Sequence, residues 1–258
     1  PRLPVYLGNR NWHPTLPDTL RRMKADGVRR ALAFITSAWS SYSSCRQYLD
    51  NIAEAQAEVG PGAPEVERLR LFYNHPGFIE PMAARVRDAY ASLPEPDRGE
   101  APLLFTAHRY VEQLTEACGL VGQLAGRENW RLVYQSRSGP PTQPWLEPDI
   151  NVALHEAVAR GARNVVVAPV GFLSDHLEVL YDLDYEARQV CDQLGLRMAR
   201  AGTVGNHPRF ITMIRELMLE RMEGTSRKSM GLLGPMPDDC PAGCCPAPVG
   251  KPGGSRRP

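Results

Sequence analysis

Two ionisable side chains stand where predicted buried strands end. His108 follows the apolar run Leu103–Phe105, and Glu178 follows the run Val165–Phe172 after a short polar stretch. A His and a Glu delivered from neighbouring strand ends can share one cleft, where they would bind a divalent metal or move protons near neutral pH. The spacing alone leaves a second interpretation open, in which His108 is a hydrogen-bonded core histidine and Glu178 an ordinary first-turn helix carboxylate.

The residues after Glu178 extend this acidic character along a predicted helix. Glu178, Asp182 and Glu186 are spaced at i, i+4 and i+8, which places them on one helical face. Like charges at that spacing repel one another, so the stripe favours a role in handling a cation. Asp175 and Asp184 lie in the same stretch and leave open the alternative of a solvated acidic face.

The cysteines form a second group with metal-binding potential. Three of the six, Cys240, Cys244 and Cys245, crowd into a segment rich in Gly and Pro. Three thiolates need a fourth ligand to close a four-sulfur iron or zinc site. Without metal they would be reactive thiols in a disordered end. Cys118 and Cys191 fall in helical patterns and are expected to be small apolar core residues.

Composition indicates a globular chain with no strong electrostatic field. The 258 residues are 43% hydrophobic, and 30 Lys and Arg against 29 Asp and Glu leave a net charge of +1. This balance gives no reason to expect nucleic acid or an anionic membrane as a partner. No membrane span and no secretory signal is visible, so we expect a cytoplasmic protein.

The elements that must position these residues come from an internal repeat. Residues 5–35 and 133–167 follow one order: a strand, a loop with Trp, a capped helix, a glycine and a buried strand. The predicted helix caps are Asp18 and Asp149, and the predicted glycines after the helix ends are Gly27 and Gly161.

Strands alternate with helices through the rest of the body. This predicts an α/β fold of two similar doubly wound, Rossmann-like domains with parallel sheets and a cleft between them. The predicted strands are Val5–Tyr6, Ala31–Ile35, Leu69–Tyr73, Leu103–Phe105, Val133–Tyr134 and Asn164–Val167; the predicted helices include 51–59, 78–93, 111–126, 185–194 and 208–222.

We expect four regions in chain order. Residues 1–95 form a first domain, 96–205 a second domain, 206–222 a C-terminal helix packing back on the body, and 223–258 a Gly-, Pro- and Cys-rich tail. The second copy of the repeat is preceded by its own strand and helix, whereas the first begins almost at residue 1. We therefore expect an N-terminal segment of the first domain to be missing.

At this point the residues resemble a known family. The run Pro169–Asp182 is similar to the ferrochelatase signature, and Phe105–His108 to the strand that carries the catalytic histidine of that family. Tyr73–Phe78 and Pro144–Asp149 match as well, and the resemblance extends from residue 1 to Met222. Ser43–Tyr48 and the cysteine-bearing tail are most similar to the actinobacterial branch.

The resemblance implies roles for individual residues. His108 would be the catalytic histidine in the porphyrin cleft, Glu178 the carboxylate facing it, and Tyr48 a tyrosine bordering the porphyrin. Asp182 and Glu186 would continue a line of acids that delivers or holds metal. In this family a loop follows the histidine, whereas here Arg109-Tyr110-Val111 follows at once, so we expect that loop to be missing.

The resemblance also implies substrates and a cofactor. Enzymes of the actinobacterial branch insert Fe2+ into coproporphyrin III and yield coprohaem, and in the wider family the substrate is protoporphyrin IX. Related ferrochelatases bind a 2Fe-2S cluster through one body cysteine and three tail cysteines. Cys45 would therefore join Cys240, Cys244 and Cys245, with Cys118 as the reserve candidate.

Three functions remain open from the sequence. The leading one is a porphyrin ferrochelatase. A cobalt or nickel chelatase acting on a related tetrapyrrole fits the His and Glu but matches the signature run and the tail less well. A non-catalytic porphyrin- or haem-binding remnant fits the missing segments.

Overall fold

The structure, a computed structural model, describes residues 3–95, 97–107, 111–135, 146–240 and 243–245. The chain forms two compact units. The first contains the residues up to Leu71 together with those from Met236 onward, and the second contains Phe72–Pro235. The units divide the chain at a different place from the predicted domain limits, which stay predictions, as does the predicted cleft.

The first unit is a small α/β layer. A two-stranded parallel sheet pairs β1 with β2, and α1 and α2 pack together over a core that includes Leu20, Met23 and Ala55. Its elements are α1 (Leu16–Ala25), β1 (Arg30–Ala33), a π-helical segment (Tyr42–Arg46), α2 (Gln47–Val59) and β2 (Glu65–Arg68).

The second unit is built on a four-stranded parallel sheet in the order β4-β3-β5-β6. All residues of β3 and β5 are buried, as expected for central strands covered by helices on both faces. Its elements are α3 (Pro76–Ala91), a 3-10 turn (Asp97–Gly99), β3 (Leu103–Ala107), α4 (Val111–Ala125), β4 (Trp130–Tyr134), α5 (Ile150–Ala159), β5 (Asn164–Ala168), α6 (Leu177–Val179), a second π-helical segment (Leu180–Ala187), α7 (Arg188–Gln193), β6 (Arg197–Arg200) and α8 (Pro208–Glu223).

This strand order has one topological switch point, between β3 and β5. The chain moves outward from β3 to β4, returns to β5 on the other side of β3, and continues outward to β6. Ligands of doubly wound folds bind beyond the carboxyl ends of the strands at such a point. The residues that follow β3 and β5 are therefore in the expected place for a site. The predicted α/β class with parallel sheets is confirmed.

Local capping rules correctly predicted three of the four helix ends for which a residue was named. The side chain of Asp149 accepts a hydrogen bond from Asn151 N and caps α5 as predicted. Gly27 and Gly161 adopt positive φ directly after the C-cap residues of α1 and α5. The prediction for Asp18 was wrong. Thr15 caps α1, and Asp18 is the third helical residue, whose carboxylate accepts a hydrogen bond from Thr15 N in a capping box.

Three strand predictions need correction. Val5–Tyr6 forms no strand, and Val5 is 94% exposed. The apolar run Leu69–Tyr73 is buried, but the strand is the preceding, alternating segment Glu65–Arg68. The sequence analysis missed β6, which is short and carries an Arg at each end. No helix of the described residues is long and apolar enough to span a bilayer.

Close contacts of Gly171 bring the loop after β5 against the end of β3. Gly171 N donates a hydrogen bond to Thr106 O. A Cβ atom on Gly171 would lie 2.8 Å from Ala107 Cα and 2.9 Å from Ala107 Cβ. Because both neighbouring atoms belong to or border the backbone of a buried strand, no flexible side chain can move aside.

We expect the substitution Gly171→Ala to lower the free energy of unfolding by about 1–3 kcal/mol, the usual cost of overpacking a close contact. Urea denaturation followed by circular dichroism measures this. Gly99→Ala is the matched control, because a Cβ there meets no atom within 4 Å. Equal stability of the two variants would contradict the close approach.

Candidate functional site

The segment after β5 carries the acidic residues and is fixed at its start by His176. His176 caps α6, since its Nδ1 accepts a hydrogen bond from Val179 N at 3.4 Å, and its ring packs edge-to-face on Phe172 with centroids 5.0 Å apart. The helix therefore begins at Leu177, one residue before Glu178. The sequence analysis gave His176 no role, although a His before an acidic first turn is a recognisable capping position.

The stretch that follows is π-helical rather than α-helical. It covers Leu180–Ala187 between α6 and α7, so the predicted helix 185–194 in fact begins at Leu177. Hydrogen bonds in a π-helix span five residues; such segments are rare overall, but those that occur are often at functional sites. The spacing of four residues between the acids is slightly more than one turn of an α-helix and slightly less than one turn of a π-helix. Glu178, Asp182 and Glu186 therefore stay on one side of the mixed helix.

Asp182 is held by a buried residue that the sequence analysis missed. Gln135 Nε2 donates a hydrogen bond to Asp182 Oδ2 at 3.2 Å. Gln135 is 1% exposed and follows the last residue of β4. Its Oε1 is buried with no hydrogen-bond partner among the described atoms, so it is an acceptor available to a donor in the site. A polar residue directly after an apolar strand was the available signal.

Arg200 divides the acidic residues of this segment into two sets. Its Nε donates to Asp184 Oδ1 at 2.6 Å and its Nη1 to Asp175 Oδ1 at 2.9 Å. Of the described carboxylates, these two are the ones that pair with Arg200. Asp175 and Asp184 are thus ion-paired with one half-buried cation, and the solvated acidic face stays an alternative interpretation of the exposed Glu178 and Glu186.

The other three acids are arranged along the helix. Glu178 and Glu186 are exposed and Asp182 is half-buried. Within the described ranges, no three His, Cys, Asp or Glu side chains are grouped to hold one metal ion. Exposed aromatic rings stand beside the three acids, since Tyr181 and Tyr185 stack with centroids 5.5 Å apart.

His108 lies outside the described residues. The structure shows only what leads to it: β3 ends at Ala107, one residue earlier, and α4 begins at Val111. The predicted facing of His108 and Glu178 stays a prediction. Trp145, Arg109 and Tyr110 also lie outside the described residues.

Tyr48, the predicted porphyrin neighbour, belongs to the first unit. It lies in α2, is half-buried, and its ring centroid is 4.7 Å from the guanidinium carbon of Arg10. Arg10 in turn donates a hydrogen bond from Nη1 to Ser43 O at 2.8 Å. One face of the tyrosine is therefore covered by a fixed cation.

The first unit brings together the predicted cluster cysteines. The sulfur atoms of Cys45 and Cys240 are 4.0 Å apart, and those of Cys244 and Cys245 are also 4.0 Å apart. Burial raises the pKa of the Cys245 thiol to about 12, and proximity to the other three thiols adds to this. The four thiols thus form two close pairs.

A buried arginine organises this group. Arg68, 6% exposed at the end of β2, contacts Cys45 Sγ and donates from Nη2 to Cys240 Sγ at 3.3 Å and to Asp238 O at 3.0 Å. Burial raises the pKa of the Cys45 thiol, and the charge of Arg68 opposes that shift. The guanidinium is therefore a counter-charge for thiolates at this place.

The segment between α8 and Cys240 is held by hydrogen bonds to its backbone. Glu116 Oε1 accepts from the consecutive amides of Leu232 and Leu233 at 2.6 and 2.8 Å. The backbone carbonyl of Asn74 accepts a hydrogen bond from Met230 N at 2.8 Å, and the side-chain Nδ2 of Asn74 donates to Gly234 O at 2.7 Å. The first part of the predicted tail is thus anchored without an apolar core.

Comparisons with known proteins agree with the sequence resemblance. The family model described as Ferrochelatase matches residues 1–222. A Ferrochelatase of Rhodopirellula baltica is 51% identical over 94% of this chain and 72% of its own length. Two proteins named Coproporphyrin III ferrochelatase are similar: that of Frankia alni is 49% identical (96% of this chain, 70% of its own), and that of Streptomyces griseus is 45% identical (97% and 76%).

Solved structures support the fold. SirB from Bacillus subtilis with Fe3+ superposes with a TM-score of 0.57 at 11% identity, covering 83% of this chain and 81% of that one. A multi-domain protein from Deinococcus radiodurans with structural similarity to chelatases gives 0.54 at 18% identity, covering 86% and 47%. At these identities the likeness shows the chelatase-like fold alone.

The two remaining cysteines are buried in the second unit, and their chemistry is testable. Cys118 and Cys191 are 0% exposed. Burial raises the pKa of the Cys191 thiol to about 11 and that of the Cys118 thiol well above its ordinary value. Since the thiolate is the reactive form, a raised pKa leaves almost none of it at pH 8.

We therefore expect iodoacetamide at pH 8 to alkylate Cys244, which is exposed, and to leave Cys118 and Cys191 unmodified in chelator-treated native protein. Mass spectrometry of the digested protein reads out each site. In guanidinium chloride all six cysteines should react, which is the control. Alkylation of Cys118 in the native protein at the rate of Cys244 would contradict its burial.

Proposed function

The chain belongs to the ferrochelatase family, and we propose that it inserts Fe2+ into coproporphyrin III, giving coprohaem, as a step of haem biosynthesis. The observation that carries the proposal is the similarity to coproporphyrin III ferrochelatases at 45–49% identity over nearly the whole chain. The signature run Pro169–Asp182 starts directly after β5, at the switch point of the sheet, where a doubly wound fold binds its ligand.

Metal insertion has two chemical requirements. The free-base porphyrin must lose two pyrrole protons as the metal enters, and hydrated Fe2+ must exchange water for nitrogen ligands. We propose His108 as the base, because an imidazole titrates near neutral pH. Glu178 is proposed as the carboxylate that faces it. The support is that β3 leads directly into His108 and that Gly171 brings the loop before Glu178 against the end of β3.

Asp182 and Glu186 are proposed to hand the metal along the helix. Oxygen donors on successive turns ease the loss of water from Fe2+ without binding it too tightly to leave. Two features support this role: Asp175 and Asp184 are compensated by Arg200, and the three acids of the stripe are spaced along the helix. His108 and Glu178 would be the last metal contacts before the porphyrin.

Tyr48 is proposed to border the porphyrin from the first unit. Its ring is fixed by Arg10 on one side, and Arg10 adds a positive charge where a substrate with carboxylate side chains would be favoured. The support is the arrangement of these two residues in the first unit, together with the family resemblance.

We further propose that Cys45, Cys240, Cys244 and Cys245 hold a 2Fe-2S cluster. The support is that the thiols lie in two close pairs, Cys45 with Cys240 and Cys244 with Cys245, and a cluster of this kind takes two thiolates on each iron. When bound, the cluster would be able to take up or release one electron. Ferrous iron and such thiol ligation both need a reducing compartment, so we propose the cytoplasm.

The activity test uses Fe2+ and coproporphyrin III under anaerobic conditions, with loss of free-base porphyrin absorbance as the readout. We expect His108→Ala to lower kcat by about 100-fold or more, the usual contribution of a positioned base, with unchanged porphyrin binding by fluorescence quenching. His155→Ala is the control, because that histidine is exposed on α5.

Three outcomes would contradict the proposal in different ways. Near-normal turnover of His108→Ala removes its assignment as the base. Binding of porphyrin by the wild type without metallation means a binding remnant rather than an enzyme. Faster metallation of protoporphyrin IX than of coproporphyrin III means that the substrate is misassigned.

For the cluster, we expect anaerobically purified protein to be coloured by sulfur-to-iron charge-transfer bands. These should vanish in Cys45→Ser and in Cys240→Ser and persist in Cys118→Ser, the matched control. Persistence in Cys45→Ser with loss in Cys118→Ser would identify Cys118 as the fourth ligand instead. Colourless wild type that carries zinc by elemental analysis would replace the cluster with a structural zinc site.

A further inference from the structure

We propose that Arg200 is a positioning residue for iron delivery: through Asp184 and Asp175 it sets the rotation of the π-helical segment and so the direction of its metal-handling acids. The proposal rests on the proposed function and adds a residue outside the acidic stripe. Arg200 is the last residue of β6, an outer strand of the sheet, and its side chain is 15% exposed.

Hydrogen bonds hold the π-helical segment on two opposite sides. Asp182 accepts from Gln135, which follows β4, and Asp184 accepts from Arg200, at the end of β6. β4 and β6 are the two outer strands, three strand spacings or about 14 Å apart. Residues two apart on a helix face nearly opposite directions. Two hydrogen bonds in opposite directions therefore fix the rotation of the segment about its helix axis, whereas a single hydrogen bond would leave that rotation free.

Arg200 also holds the loop before α6 by a hydrogen bond. Asp175 Oδ1 accepts from Arg200 Nη1 at 2.9 Å and from Thr203 N at 3.4 Å. Asp175 precedes Glu178 by three residues, and Asp184 follows it by six. One guanidinium therefore links both sides of Glu178 to the rigid sheet. A side chain with a planar fork of donors can make both contacts at once, whereas an ammonium cannot reproduce that geometry.

Arg200 also fixes which carboxylates of the segment are ion-paired with it. Five carboxylates lie between residues 175 and 186, and Arg200 forms ion pairs with two of them, Asp175 and Asp184. These two carboxylates are thereby kept from binding a cation. Without Arg200, the two released carboxylates would compete for Fe2+ at places that do not lead to the porphyrin.

The experiment compares Arg200→Met and Arg200→Lys with the wild type of the 258-residue chain. We expect Arg200→Met to raise the apparent KM for Fe2+ by about tenfold, below the roughly 100-fold that a 1 Å misplacement can cost. The KM for coproporphyrin III should change by less than about twofold, because the porphyrin does not depend on the acids for binding. Arg200→Lys keeps the charge but loses the fork, so its KM for Fe2+ should fall between the two.

The matched control is Arg188→Met. Arg188 begins α7, is half-buried and donates a hydrogen bond to Met198 O of β6 at 3.4 Å. The substitution therefore removes a cation at the same helix–strand interface without releasing a carboxylate. If circular dichroism shows that Arg200→Met does not fold, Asp184→Asn tests the proposal instead, because it removes the same ion pair from the helix side. Asp184→Asn should raise the KM for Fe2+ in the same direction.

Several results would overturn the proposal. These are an unchanged KM for Fe2+ in a folded Arg200→Met, an equal rise in the KM of both substrates, or the same effect in Arg188→Met. Anaerobic calorimetry with Fe2+ alone separates this inference from the proposed function. If the wild type does not metallate porphyrin, weaker Fe2+ binding by Arg200→Met still supports positioning, and equal binding contradicts it.

Discussion

The end of β3 and the loop after β5 touch through backbone atoms, with Gly171 N donating to Thr106 O and no space for a side chain on Gly171. This contact lies at the switch point of the parallel sheet; Thr106 is two residues before His108, and Gly171 is seven residues before Glu178. Every later element of the site starts from it: the His176 cap, the π-helical segment and the acids along it. A buried sheet tolerates little displacement, so the ends of its two central strands are held in fixed positions relative to each other.

Two arginines at strand ends organise the carboxylate group and the thiol group in the same physical way. Arg200 at the end of β6 pairs with carboxylates, and Arg68 at the end of β2 contacts thiols and a carbonyl of the tail. In both cases a guanidinium with reduced solvent access provides several directed donors from a fixed position. The sheet thus supplies rigidity, and the arginine transmits it to segments that have few apolar contacts of their own.

Local patterns were enough to predict the α/β class, the strands β3 and β5, and the caps at Asp149, Gly27 and Gly161, because each depends on residues within one turn or strand. Val5–Tyr6 was wrongly predicted as a strand, and the strand at Glu65–Arg68 was missed, because an apolar run does not by itself indicate sheet pairing. A π-helix has no period distinct enough to read from acids four apart. Gln135 and Arg200 act on residues 47 and 16 positions away, which no sequence spacing indicates.

The distance along the chain between Cys45 and Cys240 has a consequence for the timing of assembly. The two thiols that meet at 4.0 Å are 195 residues apart. At about 5–20 residues per second of synthesis, roughly 10–40 s pass between the appearance of the first and the second on the ribosome. During that interval Arg68, only 23 positions after Cys45, is the partner that emerges early enough to contact its sulfur. Completion of the thiol group therefore follows the synthesis of the whole second unit, Phe72–Pro235.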